Sequence, residues 1–259
     1  MPLKLLEVDQ NTDFPALADC MFDSHEVPPQ PFFQAFFPYN SSTSPSSSPA
    51  WSKTRAEAIE ECGTRLYAWH TSDPTSYWQK VVDEENGRIA GAALWKICRE
   101  DPFKGKEKEK GGGGGGKEVD WFPEGGGRRF VERFLEMYDG PRERRGRRPQ
   151  VYLYILFTHP SYRRRGVAQT FLDWGMRKAD EMGVEMFLDS TPIGKPLYEA
   201  NGFHVVEETV IKPEPETGDP DDEWREAERK IGPSEWWLMW RPMHGVWEEG
   251  VSVRPWEGS

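Results

Sequence analysis

The chain has 259 residues, with 33 Lys+Arg against 44 Asp+Glu and a formal net charge of -11. A protein that coats nucleic acid or an anionic membrane runs the other way, which leaves such a role to local patches. Three widely spaced cysteines, Cys20, Cys62 and Cys98, form neither a disulfide framework nor a zinc-ligand spacing.

The aromatic content of 13% supplies a sizeable core, and no apolar run is long enough for a membrane span. The expectation is a soluble, cytoplasmic protein in a reducing compartment, without metal. A nuclear location is the alternative.

KLLEV (4–8) reads as a strand. Asp13 is placed to cap a helix through His25, and PFFQAFF (31–37) suggests a second, short helix. SSTSPSSSPA (41–50) is a Ser/Pro-rich loop insertion, and AWSKTRAEAIEECGTRLYAWH (50–70) reads as a third helix. SYWQKVVD (76–83), a turn at Glu85-Asn86-Gly87 and RIAGAALWKI (88–97) make a hairpin.

KGKEKEKGGGGGGKE (104–118) opens a flexible insertion expected over 104–127. Its glycines are not a phosphate loop, which needs a buried strand before it and a helix after it. RRFVERFLEMY (128–138) places Phe130, Phe134 and Met137 at helical spacing. PRERRGRRP (141–149) is a solvated connector, with nuclear localisation or anion binding as the alternative.

VYLYILFTH (151–159) is an apolar strand, VAQTFLDWGMRKADEM (167–182) a helix and VEMFLDS (184–190) a strand. GKPLYEANG (194–202) is a short helix ended by glycine, and FHVVEETV (203–210) another strand. An acidic insertion (212–230) holds a short helix from Pro220. SEWWLMWRP (234–242) is the last strand, with Trp236, Leu238 and Trp240 on one face and Trp237 and Met239 on the other. A tail (243–259) follows. The order predicts one α/β (α+β) domain.

The chemistry lies in HPSYRRRGVAQTFLDWG (159–175). Pro160 stops the strand, and Gly166 and Ala168 open the helix, where small residues admit close approach to the backbone. The first amides of that helix have no internal partner and its dipole favours an anion. With LYEANGF (197–203) the chain resembles the GNAT superfamily of acyl-CoA-dependent N-acyltransferases. The resemblance extends over the core from about residue 3 to 242 and is specific in 151–206. Its finer placement is with fungal members.

That resemblance implies a mixed, mostly antiparallel sheet flanked by helices, with strands splayed at the cofactor site. It implies acetyl-CoA as cofactor. Leu156, Phe157 and Thr158 would meet the pantetheine arm. The amides of Arg164, Arg165, Gly166, Val167, Ala168 and Gln169 would hold the pyrophosphate, with Arg163 at the family's Gln/Arg position. Ser190 falls where many members carry a pantetheine-bonding Asn; a strand-end cap is its other reading. Tyr198 matches the family tyrosine that serves as general acid, and a phenol near 10 can give a proton to a thiolate near 8.5. A packed core tyrosine is the alternative.

The attacking amine also needs help, because a neutral amine of pKa about 10.4 costs roughly 4–5 kcal/mol at pH 7. Where some members place His or Glu, this chain has Tyr152 and Tyr154, both poor bases. His159, His204, Glu185 and Asp189 are the remaining candidates, while His25 and His70 have no partner visible in sequence. Phe32, Phe33, Phe36, Phe37, Tyr39 and the Trp236–Trp240 strand would border the acceptor as core packing or as an aromatic cage.

The expected activity is acetyl transfer to a small-molecule primary amine by direct attack in a ternary complex. No cysteine lies near either motif for an acyl-enzyme. A peptide or protein amine acceptor, or a CoA-binding module without catalysis, are the alternatives. A monomer or homodimer with no nucleic-acid or membrane partner is expected.

Overall fold

The computed structural model describes residues 2–40, 48–105, 119–216, 218–247, 254 and 256–257. Residues 41–47 of the loop expected over 41–50 and the glycine run lie outside these residues. The strands are β1 (Leu3–Glu7), β2 (Ser76–Asp83), β3 (Ile89–Cys98), β4 (Gln150–Thr158), β5 (Glu185–Ser190), β6 (His204–Ile211) and β7 (Ser234–Arg241). The helices are α1 (Phe14–Glu26), α2 (Phe33–Phe36), α3 (Arg55–Thr71), α4 (Gly126–Arg145), α5 (Val167–Met182), α6 (Lys195–Glu199) and α7 (Asp222–Ile231).

The strands form one sheet in the order β1-β2-β3-β4-β5-β7-β6. Every pairing is antiparallel except β4 with β5, which is the mixed, mostly antiparallel α/β architecture expected. Strand alternation divides the core between two faces. Ala92 and Leu94 of β3 and Phe157 of β4 pack with Leu17, Met21 and Phe22 of α1. Ala93 and Trp95, with Val151 and Leu153, pack on Phe171, Leu172 and Ala179 of α5. On the α1 face, at the β6–β7 end, Phe130 and Phe134 of α4 meet Trp224 of α7 and Trp236 of β7. Among the described residues no helix is long and apolar enough to cross a membrane.

Several local expectations change. Asp13 precedes α1 but makes no side-chain cap bond. Its carboxylate instead accepts the Asp9 amide at 2.6 Å and Lys80 Nζ at 2.5 Å. The third helix starts at Arg55 rather than residue 50, because Thr54 and Glu57 form a reciprocal capping box. Residues 49–51 make a separate 3₁₀ turn that buries Trp51.

The insertion expected over 104–127 ends in ordered structure. Val119 and Phe122 are buried, and Trp121 Nε1 donates to Ala35 O at 2.9 Å. In 212–230, α7 packs on α4 with an Asp221 cap bonded to the Trp224 amide at 2.8 Å. In the tail, Trp256 lies against Trp240 at 5.3 Å.

The basic stretch is not a connector. α4 runs through Pro141 to Arg145, and Phe130, Phe134, Tyr138 and Arg142 follow one another at i+4 spacing on its buried stripe. The Arg142 side chain is 12% exposed.

The contact that sets the height of α5 above the sheet is glycine against tryptophan. A Cβ on Gly175 would overlap the Trp95 ring. That ring cannot yield, because Trp95 Nε1 donates to buried Gln79 Oε1 at 2.9 Å and the indole is fully buried. Gly175→Val is therefore expected to destabilise the fold by about 2–4 kcal/mol in urea unfolding. An unchanged midpoint would show that the ring has room to move.

Candidate active site

β4 and β5 pair only from Gln150 with Glu185 to Leu153 with Leu188. β4 continues on its other edge against β3 as far as Thr158 with Gly91, so among the described residues one edge of Tyr154–Thr158 is left without a strand. Into this opening runs a cavity of about 790 Å³. The register shift between Leu94–Ile155 and Trp95–Leu153 leaves Tyr154 as an extra residue, a β-bulge. Tyr154 stays on the face of Tyr152, and the bulge brings Ile155 to that same side, where both line the cavity.

At the open end, Pro160–Tyr162 form a 3₁₀ turn and α5 begins. Arg164 has φ 61° and Gly166 φ 81°. These left-handed residues bend the loop into a concave row of amides. No described protein group accepts from the amides of Arg164–Gln169. A Cβ on Gly166 would meet nothing within 4 Å, so the space before it is open. Arg163 does not face outward; its guanidinium donates to Ser24 O at 2.8 Å and to Thr158 O at 3.3 Å. Arg165 lies over the Tyr162 ring at 4.9 Å.

Leu156, Phe157, Thr158, Arg163, Arg164, Gly166, Val167, Ala168, Gln169 and Tyr198 are all brought to this cavity. Arg165 and Ser190 are not among its lining residues. Ser190 is fully buried and its Oγ donates to Thr191 O at 2.9 Å, as in the strand-end reading. Alternation along β5 explains this: Ser190 shares the buried α5-facing side with Leu188, while Asp189 points to the opposite face, toward Tyr152 and Arg142, where the residue borders the cavity.

Tyr198 is carried on α6 with its ring edge-on to Phe203 at 5.9 Å, and Gly194 leaves just the room for it, since a Cβ there would lie 2.8 Å from Tyr198 Cε2. Burial raises its phenol well above the ordinary value, and no hydrogen bond contributes. It is therefore a proton holder at neutral pH. Asn201 ties this motif to the loop. Asn201 Nδ2 donates to Gln169 Oε1 at 3.1 Å, and Gln169 Nε2 donates to Asn201 Oδ1 at 2.7 Å.

The candidate bases separate sharply. His159 accepts the Ser161 amide at 3.1 Å on Nδ1 and meets Asp23 at 3.2 Å on Nε2. Glu185 is held by Arg148 at 3.1 Å and by Trp240 Nε1 at 2.7 Å, and His204 packs on Trp247. Asp189 alone of the four lines the cavity. Its Oδ2 accepts from the Tyr152 hydroxyl, and burial pushes its carboxyl up to about 6 against the pull of Arg142.

His25, without a visible partner in sequence, is a second cavity residue. Its Nδ1 lies 2.8 Å from Met21 O, where it must donate. Burial lowers it to about 4, so it is neutral at pH 7 and stacks on Phe33 at 4.4 Å. At the far end Phe32 meets Trp236 edge-on at 4.8 Å, and Tyr138 does the same. None of the three cysteines lines the cavity.

The model of a family described as "Acetyltransferase (GNAT) family" matches residues 39–203. No curated protein matches the sequence. Among solved structures, the chain resembles the histone acetyltransferase HPA2 and related acetyltransferase from Corynebacterium glutamicum. That match has 19% identity and TM-score 0.52, covering 96% of this chain and 99% of that one. It also resembles the C-terminal condensation domain of Ebony, solved with beta-alanyl-dopamine. Here the identity is 13% and the TM-score 0.55, over 94% of this chain and 100% of that one. At such identities the likeness is one of fold.

The reciprocal Gln169–Asn201 amide pair links the two sequence motifs mechanically. A double-mutant cycle with Gln169→Ala and Asn201→Ala is expected to give a coupling of about 1 kcal/mol in urea unfolding. Additive losses would mean that the motifs are positioned independently.

Proposed function

Because the chain belongs to the GNAT acetyltransferase family, whose acyl donor is acetyl-CoA, we propose that it acetylates the primary amine of a small molecule by direct attack in a ternary complex. Acetyl-CoA supplies the acyl group as a thioester. The described residues fit that donor: an unpaired β4 edge suits an extended amide-bearing arm, and the concave amides at the start of α5 suit a pyrophosphate. Leu156, Phe157 and Thr158 bind the arm. The amides of Arg164–Gln169 bind the pyrophosphate, and Arg163 holds their loop to Ser24 and Thr158. Arg165 contributes its amide while its guanidinium stays on Tyr162.

Tyr198 keeps its proton until the sulfur departs and then gives it up. A phenol raised by burial donates readily only to a strong base, and a thiolate released in a dry cavity is one. Direct attack is supported by the absence of any cysteine from the cavity lining. The contact of Phe32 with Trp236 at 4.8 Å favours a small acceptor over a peptide. It joins the N-terminal helices to β7 across the far end, where a polypeptide would otherwise pass.

Acetyl-CoA at about 100 times its dissociation constant is expected to stabilise the fold by about 2.7 kcal/mol, visible as a higher Tm. No shift at millimolar acetyl-CoA would remove the donor assignment. Tyr198→Phe is expected to lower kcat about 10- to 100-fold and to leave CoA affinity within about twofold. Turnover equal to that of the parent would take Tyr198 out of the chemistry.

A further inference from the structure

The far end of the cavity is the least conventional part of the molecule. Its floor is built on a buried cluster of charge. Arg142 of α4 pairs with Asp139 one turn back, donates to the Tyr152 hydroxyl at 3.0 Å and lies 3.9 Å from Asp189 Oδ2. Tyr152 in turn donates to that same Oδ2. Asp139 and Asp189 thus both face the Arg142 guanidinium. The next cation outward, Lys96, is paired with Asp73 at 2.6 Å.

Asp189 is the carboxylate of this cluster that reaches the cavity, although its side chain is only 4% exposed. Oδ1 accepts no hydrogen bond from a described protein group. It is not among the sealed, unpartnered polar atoms of the described residues, so a ligand's donor can reach it. The other groups around it are Tyr138, Tyr154 and Tyr152, whose phenols burial raises. β7 places Leu238 opposite Asp189, with no charge.

The remaining lining is selective in what it lacks. Among the described residues lining the cavity, Asp189 is the only carboxylate, and the only cations, Arg163 and Arg164, belong to the donor loop. A polyamine would bring a second ammonium with no partner. An amino acid would bring a carboxylate with no cation at this end. The walls are Phe32, Phe36, Tyr138 and Trp236, joined edge-to-face. A flat ring lies well among such edges.

Resting on the proposed acetyl transfer, we infer that the acceptor is an arylalkyl monoamine, its ammonium seated on Asp189 and its ring among Phe32, Phe36, Tyr138 and Trp236. Tyr152 and Arg142 are positioning residues that hold Asp189 ionised and aimed. In the transfer the amine nitrogen bonds the acyl carbon and the C–S pair leaves with sulfur. Of the two protons the ammonium loses in becoming an amide N–H, the first passes to Asp189 and on to solvent before attack, and the second replaces the proton that Tyr198 gives to sulfur.

The test is equilibrium binding, which needs no turnover. 2-Phenylethylamine, spermidine and phenylalanine are titrated by calorimetry into the protein saturated with CoA. 2-Phenylethylamine is expected to bind at least about tenfold more tightly than the other two. Asp189→Asn is expected to weaken it about 30-fold or more while CoA affinity, measured on the same preparation, stays unchanged and so reports an intact fold.

The amine is a cation throughout the range, so the pH dependence reports the carboxyl. Affinity is expected to fall about tenfold per unit below about pH 6 and to be flat in Asp189→Asn. Tyr152→Phe removes a donor to the ionised form, so the break should move to higher pH; a structural role for Tyr152 would leave it in place. Equal or tighter binding of spermidine or phenylalanine, or an Asp189→Asn affinity equal to the parent's, would overturn the inference. Amine binding without release of free thiol from acetyl-CoA would overturn the transfer reading and leave this site standing.

Discussion

The structure turns on the point where β4 and β5 stop sharing hydrogen bonds. Below Leu153 and Leu188 the two strands form an ordinary parallel pair, and above it the edge of β4 has no strand beside it. A buried backbone edge without partners is costly. The fold tolerates it because the edge opens onto a cavity where an extended ligand can complete the pairing. What surrounds the opening follows from it. The bulge at Tyr154 shifts the alternation so that Ile155 joins it on one face, and Pro160 opens the 3₁₀ turn that leads into α5.

The two ends of the cavity are electrostatic opposites within a chain whose net charge of -11 gives no hint of the division. One end offers unbonded amides, a helix N-terminus and two arginines. The other offers Asp189, whose cationic neighbour among the described residues, Arg142, also pairs with Asp139. His25 and Tyr198 are held neutral by burial. The site therefore keeps its unpaired charge for the places where ligands bring the opposite sign, which is what preorganisation means in a region of low dielectric.

The donor half was legible because it depends on local backbone chemistry. A proline stop, an Arg-Arg-Arg-Gly turn and an amphipathic helix occur in one run of residues, and a loop's amides need no distant partner. The acceptor half depends on pairings across long sequence separations, and it was read less well. Asp189 and Ser190 are neighbours in sequence, and only the pleat of β5 decides which one faces the cavity. Arg142 was hidden behind Pro141, which suggested that the helix ended at residue 138. Its i+4 relation to Phe130, Phe134 and Tyr138 was the signal that could have found it. Asp13 sits where a cap belongs, yet Lys80, distant in sequence, claims its carboxylate. His25 could not be placed at all, because its stacking partner Phe33 comes against it only when α1 and α2 pack together.

The grip of Arg163 on Ser24 has a consequence for how such a protein can change. The end of α1 is bolted to the loop that opens α5, across a separation of 139 residues. The wall is not an interchangeable module. A segment spanning α1 and α2 transplanted from a relative would arrive without its bolt unless the loop arginine and the end of α1 travelled together. Phe32, Phe36 and Trp236 take no part in that bond, whereas the end of α1 and the loop arginine change together or lose it.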